Sequence, residues 1–213
     1  INVQRFYNLH KRDPMVFDAP LTELGLQQAA AAADRVTAAG LVPELIVTSP
    51  LTRNCQTCLC VFPPNGCHRS ARRVVRAEHR ELLEASCDLG SPRAALIERF
   101  GEHLSFEHLP EVWWYVDPDF VEEAGRGNID LLCAEQVHAH FRDYGFIEPQ
   151  VSVEARADEF VSWLRGQPET DIAVIGHADF SHTLLARHFG VRDYWMKNCE
   201  IMTVNLGMSS GWR

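Results

Sequence analysis

Long apolar runs are missing from this chain of 213 residues. No stretch approaches the roughly 18 consecutive apolar residues of a membrane span. No basic start followed by an apolar run marks a signal peptide. Positive charge is scarce: Lys and Arg total 20 against 29 Asp and Glu, a formal net charge of -9. That balance argues against nucleic acid or an anionic membrane as the main partner, while a locally basic pocket for a small anionic molecule stays compatible with it. A Gly-rich nucleotide loop is absent, and no Cys-x-x-Cys pair has a second half at a fitting distance, so neither cofactor nor metal is implied. The seven cysteines are an odd number. A chain of this size needs no disulfide staples, so they read as free thiols of a cytoplasmic protein. Cys55, Cys58, Cys60, Cys67 and His68 cluster in sequence. Cys55 and Cys58 fall in a helical segment directly after a strand, so the cluster reads as buried thiols rather than as a zinc site. No repeat, low-complexity tract or linker divides the chain, and residues 1–213 read as one domain. A homo-oligomer is left open.

What is present alternates between strand and helix. Ile1–Gln4 reads as a short strand. Thr22 caps a helix running to about Ala39, with Gly40 as its stop. Leu21 and Leu26 stand at the positions of a hydrophobic staple. Leu26, Ala29, Ala30, Ala33 and Val36 give that helix an apolar face. Leu45–Thr48 and Ile172–Ile175 are buried strands, each followed by a helix, and Arg73–Ala77 is a third. Residues 92–100 and about 130–143 read as helices, as does the amphipathic stretch through Val153, Ala157, Phe160, Val161 and Leu164. The helix after Ile175 turns Phe180, Leu184 and Leu185 inward and ends at Gly190. Met202–Leu206 reads as a last strand. Short apolar strands alternating with helices predict an α/β fold, a mostly parallel sheet sandwiched by helices, with ligands bound beyond the carboxyl ends of the strands.

Three strand-end turns carry chemistry. Arg53 follows Ser49-Pro50-Leu51-Thr52, where a guanidinium suits a phosphate or carboxylate. Gly176-His177 opens a helix; the glycine lets a ligand approach the backbone, and the histidine can donate a proton or bind an oxyanion. Glu81-Leu82-Leu83-Glu84 supplies carboxylates for acid or base work. His177 sits between a helix dipole that favours the neutral ring and an anion that favours the charged one. That balance predicts titration near working pH. Trp113-Trp114-Tyr115 either wall an apolar or aromatic substrate or anchor an insertion on the core. His138 and His140, two apart on a predicted helix, read as surface residues.

These segments resemble the histidine phosphatase superfamily, the phosphoglycerate mutase-like proteins. Asp18-Ala19-Pro20-Leu21-Thr22-Glu23-Leu24-Gly25 is similar to the segment before the family's first long helix. Ser49-Pro50-Leu51-Thr52-Arg53 with Gln56-Thr57, and Val174-Ile175-Gly176-His177, are similar to its Ser-Pro-Leu-x-Arg and second-histidine segments. Leu83–Ser91 and Asn198-Cys199-Glu200 are similar to its fungal and plant branch. The resemblance implies a phosphoglycerate mutase-like sandwich with a small helical insertion over the site. It also implies a phosphate pocket lined by Arg53 and His177, with Glu84, or Glu81, as acid/base.

The family's Arg-His nucleophile motif is altered. Matching Tyr7-Asn8 to the family's aromatic-Asn pair puts Ile1-Asn2 at the Arg-His position. Keeping Ile1–Gln4 as the first strand puts Arg5-Phe6 there, which is the preferred placement. Neither Asn nor Phe can attack phosphorus, and His10 has the wrong spacing. The expected site therefore has His177 and Glu84 as catalytic groups, with Arg53, Arg5, Tyr7 and Asn8 binding substrate. The favoured reading is a repurposed, non-phosphatase enzyme doing acid/base chemistry on a small carboxylate- or enolate-bearing metabolite by isomerisation, dehydration, decarboxylation or cyclisation. A non-catalytic pseudophosphatase and a phosphohydrolase or mutase with another nucleophile are the alternatives.

Overall fold

Three four-residue strands form the centre of the computed structural model, which describes residues 13–207. The strand expected at Ile1–Gln4, together with Arg5, Tyr7 and Asn8, lies outside the described residues. The strands are β1 (Leu45–Thr48), β2 (Arg72–Val75) and β3 (Ile172–Ile175), all parallel, in the order β2-β1-β3. Thr48 stands level with Val75 and with Ile175. The chain therefore leaves all three strands at one edge, and residues far apart in sequence meet there. On the outer side of β2, Ser105 adds a parallel bridge to Val74.

Seven α-helices accompany the strands among the described residues: α1 (Glu23–Ala38), α2 (Thr52–Val61), α3 (Arg93–Phe100), α4 (Pro118–Gly125), α5 (Ala134–Tyr144), α6 (Gln150–Arg165) and α7 (Ala178–His188). None is long and apolar enough to cross a membrane. Alternation along the strands divides the core in two. Leu45 and Val47 face Val153, Ala157, Phe160 and Leu164 of α6 and Phe180 of α7. Ile46 and Val75 face the other way, toward α1, α2 and the segment between β2 and α6. A parallel sheet covered on both faces is the architecture that the alternating pattern predicts.

Several local expectations need correction. Thr22 does cap α1, its hydroxyl accepting from Gly25 N at 3.1 Å. The inward face of α1, however, is Ala29, Ala32 and Val36, while Leu26 is 41% exposed and Ala30 is exposed. In so alanine-rich a helix the apolar contrast between neighbouring phases is small, and packing against α2 selects the phase. The third strand is Arg72–Val75 rather than Arg73–Ala77. Residues 202–206 form no strand; their alternation has no partner ladder among the described residues, and a strand exists only through its pairing. His138 and His140 are not surface residues. They stack on Phe17 and Phe120 at 4.4 and 4.0 Å, and His138 Nε2 bonds the Gly90 carbonyl at 3.0 Å. Trp113 and Trp114 are buried in the main core, and Trp113 donates to the Ser91 carbonyl at 2.9 Å. A Cβ on Gly90 would lie 2.0 Å from the Trp113 ring. The two tryptophans thus anchor the insertion rather than wall a substrate.

One buried ion cluster ties the sheet to the loop beyond β2. Glu148, 2% exposed, accepts from Arg156 Nε and Nη2 at 2.8 and 2.7 Å, from Arg80 at 2.9 Å and from Ser152 Oγ at 2.7 Å. Arg156 Nη1 then donates to the carbonyls of Glu78 and Arg80 at 2.6 and 3.0 Å. The backbone N–H of Glu148 donates to the Leu83 carbonyl at 3.0 Å. Burial raises the Glu148 carboxyl, but Arg80 and Arg156 outweigh it and hold the group below its ordinary value. Breaking such a pair strands a charge. Glu148→Ala should therefore cost about 3–5 kcal/mol in urea unfolding, whereas Glu169→Ala, which breaks the more exposed pair with Arg72, should cost about 1 kcal/mol or less.

Candidate functional site

The level strand ends bring together three segments: Ser49–Arg53 after β1, residues 78–88 after β2, and Gly176-His177 after β3. Ser49 is the first residue after β1, and Arg53 lies in the first turn of α2. That turn is fastened by Asp18, whose carboxylate accepts from Thr52 N and Thr52 Oγ1 at 2.7 and 2.6 Å and from Ser91 N at 3.2 Å. The turn after β3 is held through one carbonyl. Ile175 O accepts from Asn54 Nδ2 at 2.8 Å, His79 Nε2 at 3.1 Å and Ser49 N at 3.3 Å. A carbonyl only accepts, so His79 carries its proton on Nε2. A Cβ on Gly176 would make only ordinary contacts at 3.6 Å and beyond, so the protein's own packing does not demand glycine there.

His177 is buried, and its Nε2 lies 2.9 Å from Ser49 Oγ. Burial first, then the positive charge of Arg53 and Arg156, pushes its imidazole well below the ordinary value of 6.5. The expected balance near working pH is therefore wrong for the unliganded protein: desolvation dominates and the ring is neutral. His79, stacked on Phe160 at 4.5 Å, is pushed down to about 3, chiefly by burial.

Arg53 is already engaged. Nη1 donates to the Cys87 carbonyl at 2.7 Å, and Nη2 meets Asp88 Oδ1 at 2.8 Å. Asp88 also accepts from the backbone N–H groups of Glu84 and Ala85 at 3.4 and 3.3 Å. Burial raises the Asp88 carboxyl despite Arg53. Arg53 thus helps to hold the turn that carries Glu84. Glu81 points to α7: its Oε1 accepts from Phe180 N at 3.1 Å and its Oε2 from Asp179 N at 3.4 Å. Burial first, then Asp179, raises its carboxyl to about 7.

Sequence reasoning missed the roles of Ser49, Asn54, His79 and Asp88. Ser49 could have been found as the first hydroxyl after a buried strand. His79 carries no such signal, because its role is to reach β3 across the sheet. All seven cysteines are free thiols, with Cys55 and Cys58 buried. Among the described residues no group of three or more His, Cys, Asp or Glu could hold a metal ion.

The carboxyl edge of this parallel α/β sheet, where such sheets bind ligands, thus gathers His177, Arg53, Glu81 and Asp88. Residues 4–81 match the family model of the histidine phosphatase superfamily (branch 1). That match takes in β1, α2 and β2, and the parallel α/β fold is consistent with the phosphoglycerate mutase-like one. It is 28% identical over 176 residues to phosphoglycerate mutase-like protein 1 of Arabidopsis thaliana, covering 80% of this chain and 61% of that protein. It is likewise 28% identical over 185 residues to another phosphoglycerate mutase-like protein of that plant, covering 80% and 63%. The chain thus spans about three fifths of the length of the curated relatives it matches. The family match includes Arg53 and Glu81 and ends before Glu84 and His177.

The titrating groups have opposite consequences for stability. His177 and His79 are depressed, so the unfolded chain takes up protons below its ordinary 6.5 that the folded one refuses. Their share of stability is full above that value and falls as pH drops below it, for His79 down to about 3. Glu81 is raised from 4.5 to about 7, so its share is full below 4.5 and is lost as pH rises through 7. Urea midpoints between about pH 4 and pH 8 should therefore show two changes. Glu81→Gln should remove the loss on rising pH, and His79→Phe should shallow the loss on falling pH.

Proposed function

We propose that this protein is a small-molecule enzyme whose histidine-phosphatase pocket performs proton transfer on a carboxylate- or enolate-bearing anion. The observation that carries this reading is His177: a buried, neutral imidazole at hydrogen-bond distance from Ser49, at a strand edge that also holds Arg53 and Glu84. A neutral imidazole can accept a proton, and Ser49 fixes its orientation. Arg53, with Arg5, Tyr7 and Asn8 from the N-terminal segment, binds the substrate. Glu84 is the acid/base partner of His177. An arriving anion favours the imidazolium, so binding itself raises the basicity of His177. Phosphohistidine turnover has no place in this reading, because either placement of the N-terminal segment puts Asn or Phe where the nucleophilic histidine would stand. The reaction class is isomerisation, dehydration, decarboxylation or cyclisation, in a cytoplasmic setting.

The Arg53–Asp88 pair favours a second reading. A guanidinium shared with a carboxylate and a carbonyl has less to offer an incoming anion, which suits a pseudophosphatase that binds a phosphoryl ligand or protein without turnover.

Turnover of p-nitrophenyl phosphate should sit at background, and efficient hydrolysis by rigorously purified protein defeats the main reading. Calorimetric titration with inorganic phosphate tests the pocket. Arg53→Ala should weaken binding by about 1.5–3 kcal/mol, as for a charge-assisted hydrogen bond, and should lower the melting temperature because the 84–88 turn loses its anchor. On the natural carboxylate substrate, His177→Ala and Glu84→Gln should each reduce turnover by about 10²–10⁴-fold. Phosphate binding combined with neutral His177 and Glu84 variants in cells selects the pseudophosphatase.

A further inference from the structure

Helix α7 starts without a cap of its own. Its N-cap residue is His177, whose side chain makes no bond to the helix amides and meets Ser49 instead. The first N–H groups of a helix need acceptors from outside it. Here they are met from another part of the chain: Glu81 Oε1 accepts from Phe180 N at 3.1 Å, and Glu81 Oε2 from Asp179 N at 3.4 Å. Oε1 also accepts from Leu82 N at 3.0 Å, which fixes the carboxylate plane against its own backbone.

We propose that Glu81 is a positioning residue, capping α7 in place of the N-cap side chain and so holding the His177 imidazole against Ser49. A histidine that capped its own helix would turn its ring toward the amides of the first turn. Supplying the cap from the loop after β2 separates the two tasks. The loop is a rigid donor of that cap, because Arg156, locked to Glu148, donates to the carbonyls of Glu78 and Arg80 on its N-terminal side. Glu148 N holds the Leu83 carbonyl on its far side. The charged and titratable groups around Glu81 are Asp179 on α7, Asp88 on the turn after Glu84, Arg156 on α6, and His79 and Arg80 on its own segment. Asp179 and Asp88 repel the carboxylate and, with burial, bring its titration to about 7. The cap is accordingly strongest in the ionised form, whose two oxygens both accept.

The role rests on the reading of His177 as the proton acceptor of the site, but its test does not require turnover. The His177 ring resonances in a ¹H–¹⁵N spectrum and the hydrogen exchange of the Asp179 and Phe180 amides read the cap directly. Glu81→Leu removes both acceptors. It should move the His177 ring resonances and speed exchange at the two amides by about 3- to 30-fold, the range for loss of a helix N-cap. Glu81→Gln keeps one acceptor and should restore the wild-type ring resonances. Wild-type ring resonances and wild-type exchange in folded Glu81→Leu overturn the proposal. Should that variant fail to fold, Glu81→Asp, one methylene too short to reach α7, takes its place with the same expected shifts, and its keeping wild-type signals overturns the proposal equally. Inorganic phosphate separates the two readings. If the wild-type protein does not bind it, the pocket reading falls, while the ring resonances still decide the role of Glu81.

Discussion

The buried ion cluster of Glu148, Arg156 and Arg80 is the constraint on which the strand-end architecture depends. A carboxylate with no exposed side-chain surface is tolerable only when both its oxygens are hydrogen-bonded, and here two arginines and Ser152 supply the donors. The geometry that satisfies Glu148 also fixes where Arg156 can reach, and it reaches the main chain between Glu78 and Arg80. A loop leaving a short strand would otherwise have few restraints. Here its carbonyls become acceptors for a charge that cannot move, because moving it would strand Glu148.

From that fixed loop the order spreads to the other strand ends. His79 crosses to the Ile175 carbonyl, Glu81 reaches the first turn of α7, and Glu84 begins the turn that Asp88 closes against Arg53. Asp18 performs the matching task on the other side by fastening α2 to Ser91. Four carboxylates, Asp18, Glu81, Asp88 and Glu148, thus accept backbone or guanidinium hydrogen bonds at places where no helix or strand ladder would satisfy the donors. Several of these bonds join segments remote in sequence, Asp18 to Thr52 and Ser91, Asp88 to Arg53, Glu81 to α7 and Glu148 to Arg80, which suits a site assembled from three separate turns.

Electrostatically the strand edge keeps its titratable groups out of their ordinary forms. Burial makes His177 and His79 reluctant to charge and makes Glu81 and Asp88 reluctant to ionise. Such opposed shifts close together are a mark of sites that move protons, although structural ion networks produce them as well. The two uses coexist here. His79 and Asp88 work on the protein's own backbone, whereas His177 has a small hydroxyl partner and stands at the strand edge where an α/β sheet binds its ligands.

The sequence alone determined the alternation of strand and helix, the parallel sheet, and the placing of Arg53 and His177 at strand ends. These follow from hydrophobic periodicity, from Thr22 and Gly40 as helix punctuation, and from motifs confined to a few adjacent residues. The bounds of Ile172–Ile175 were legible as a short apolar run, but its expected burial was not met: Ile172, Ala173 and Ile175 are half-buried and Val174 is 45% exposed, because β3 stands at the end of the strand order with β1 as its one partner among the described residues. The inward phase of α1, the burial of Trp113 and Trp114, and the irregular course of residues 202–206 were decided by tertiary packing, since each depends on what stands opposite. The partners of the site residues were decided there too. Arg53 reads in sequence as a free cation, and only the fold sets Asp88 beside it. Glu81 reads as one more candidate acid, and only the level strand ends carry it to α7. Nor could the neutrality of His177 be read from its neighbours in the chain, because desolvation is a property of the space around a ring and not of the residues on either side of it.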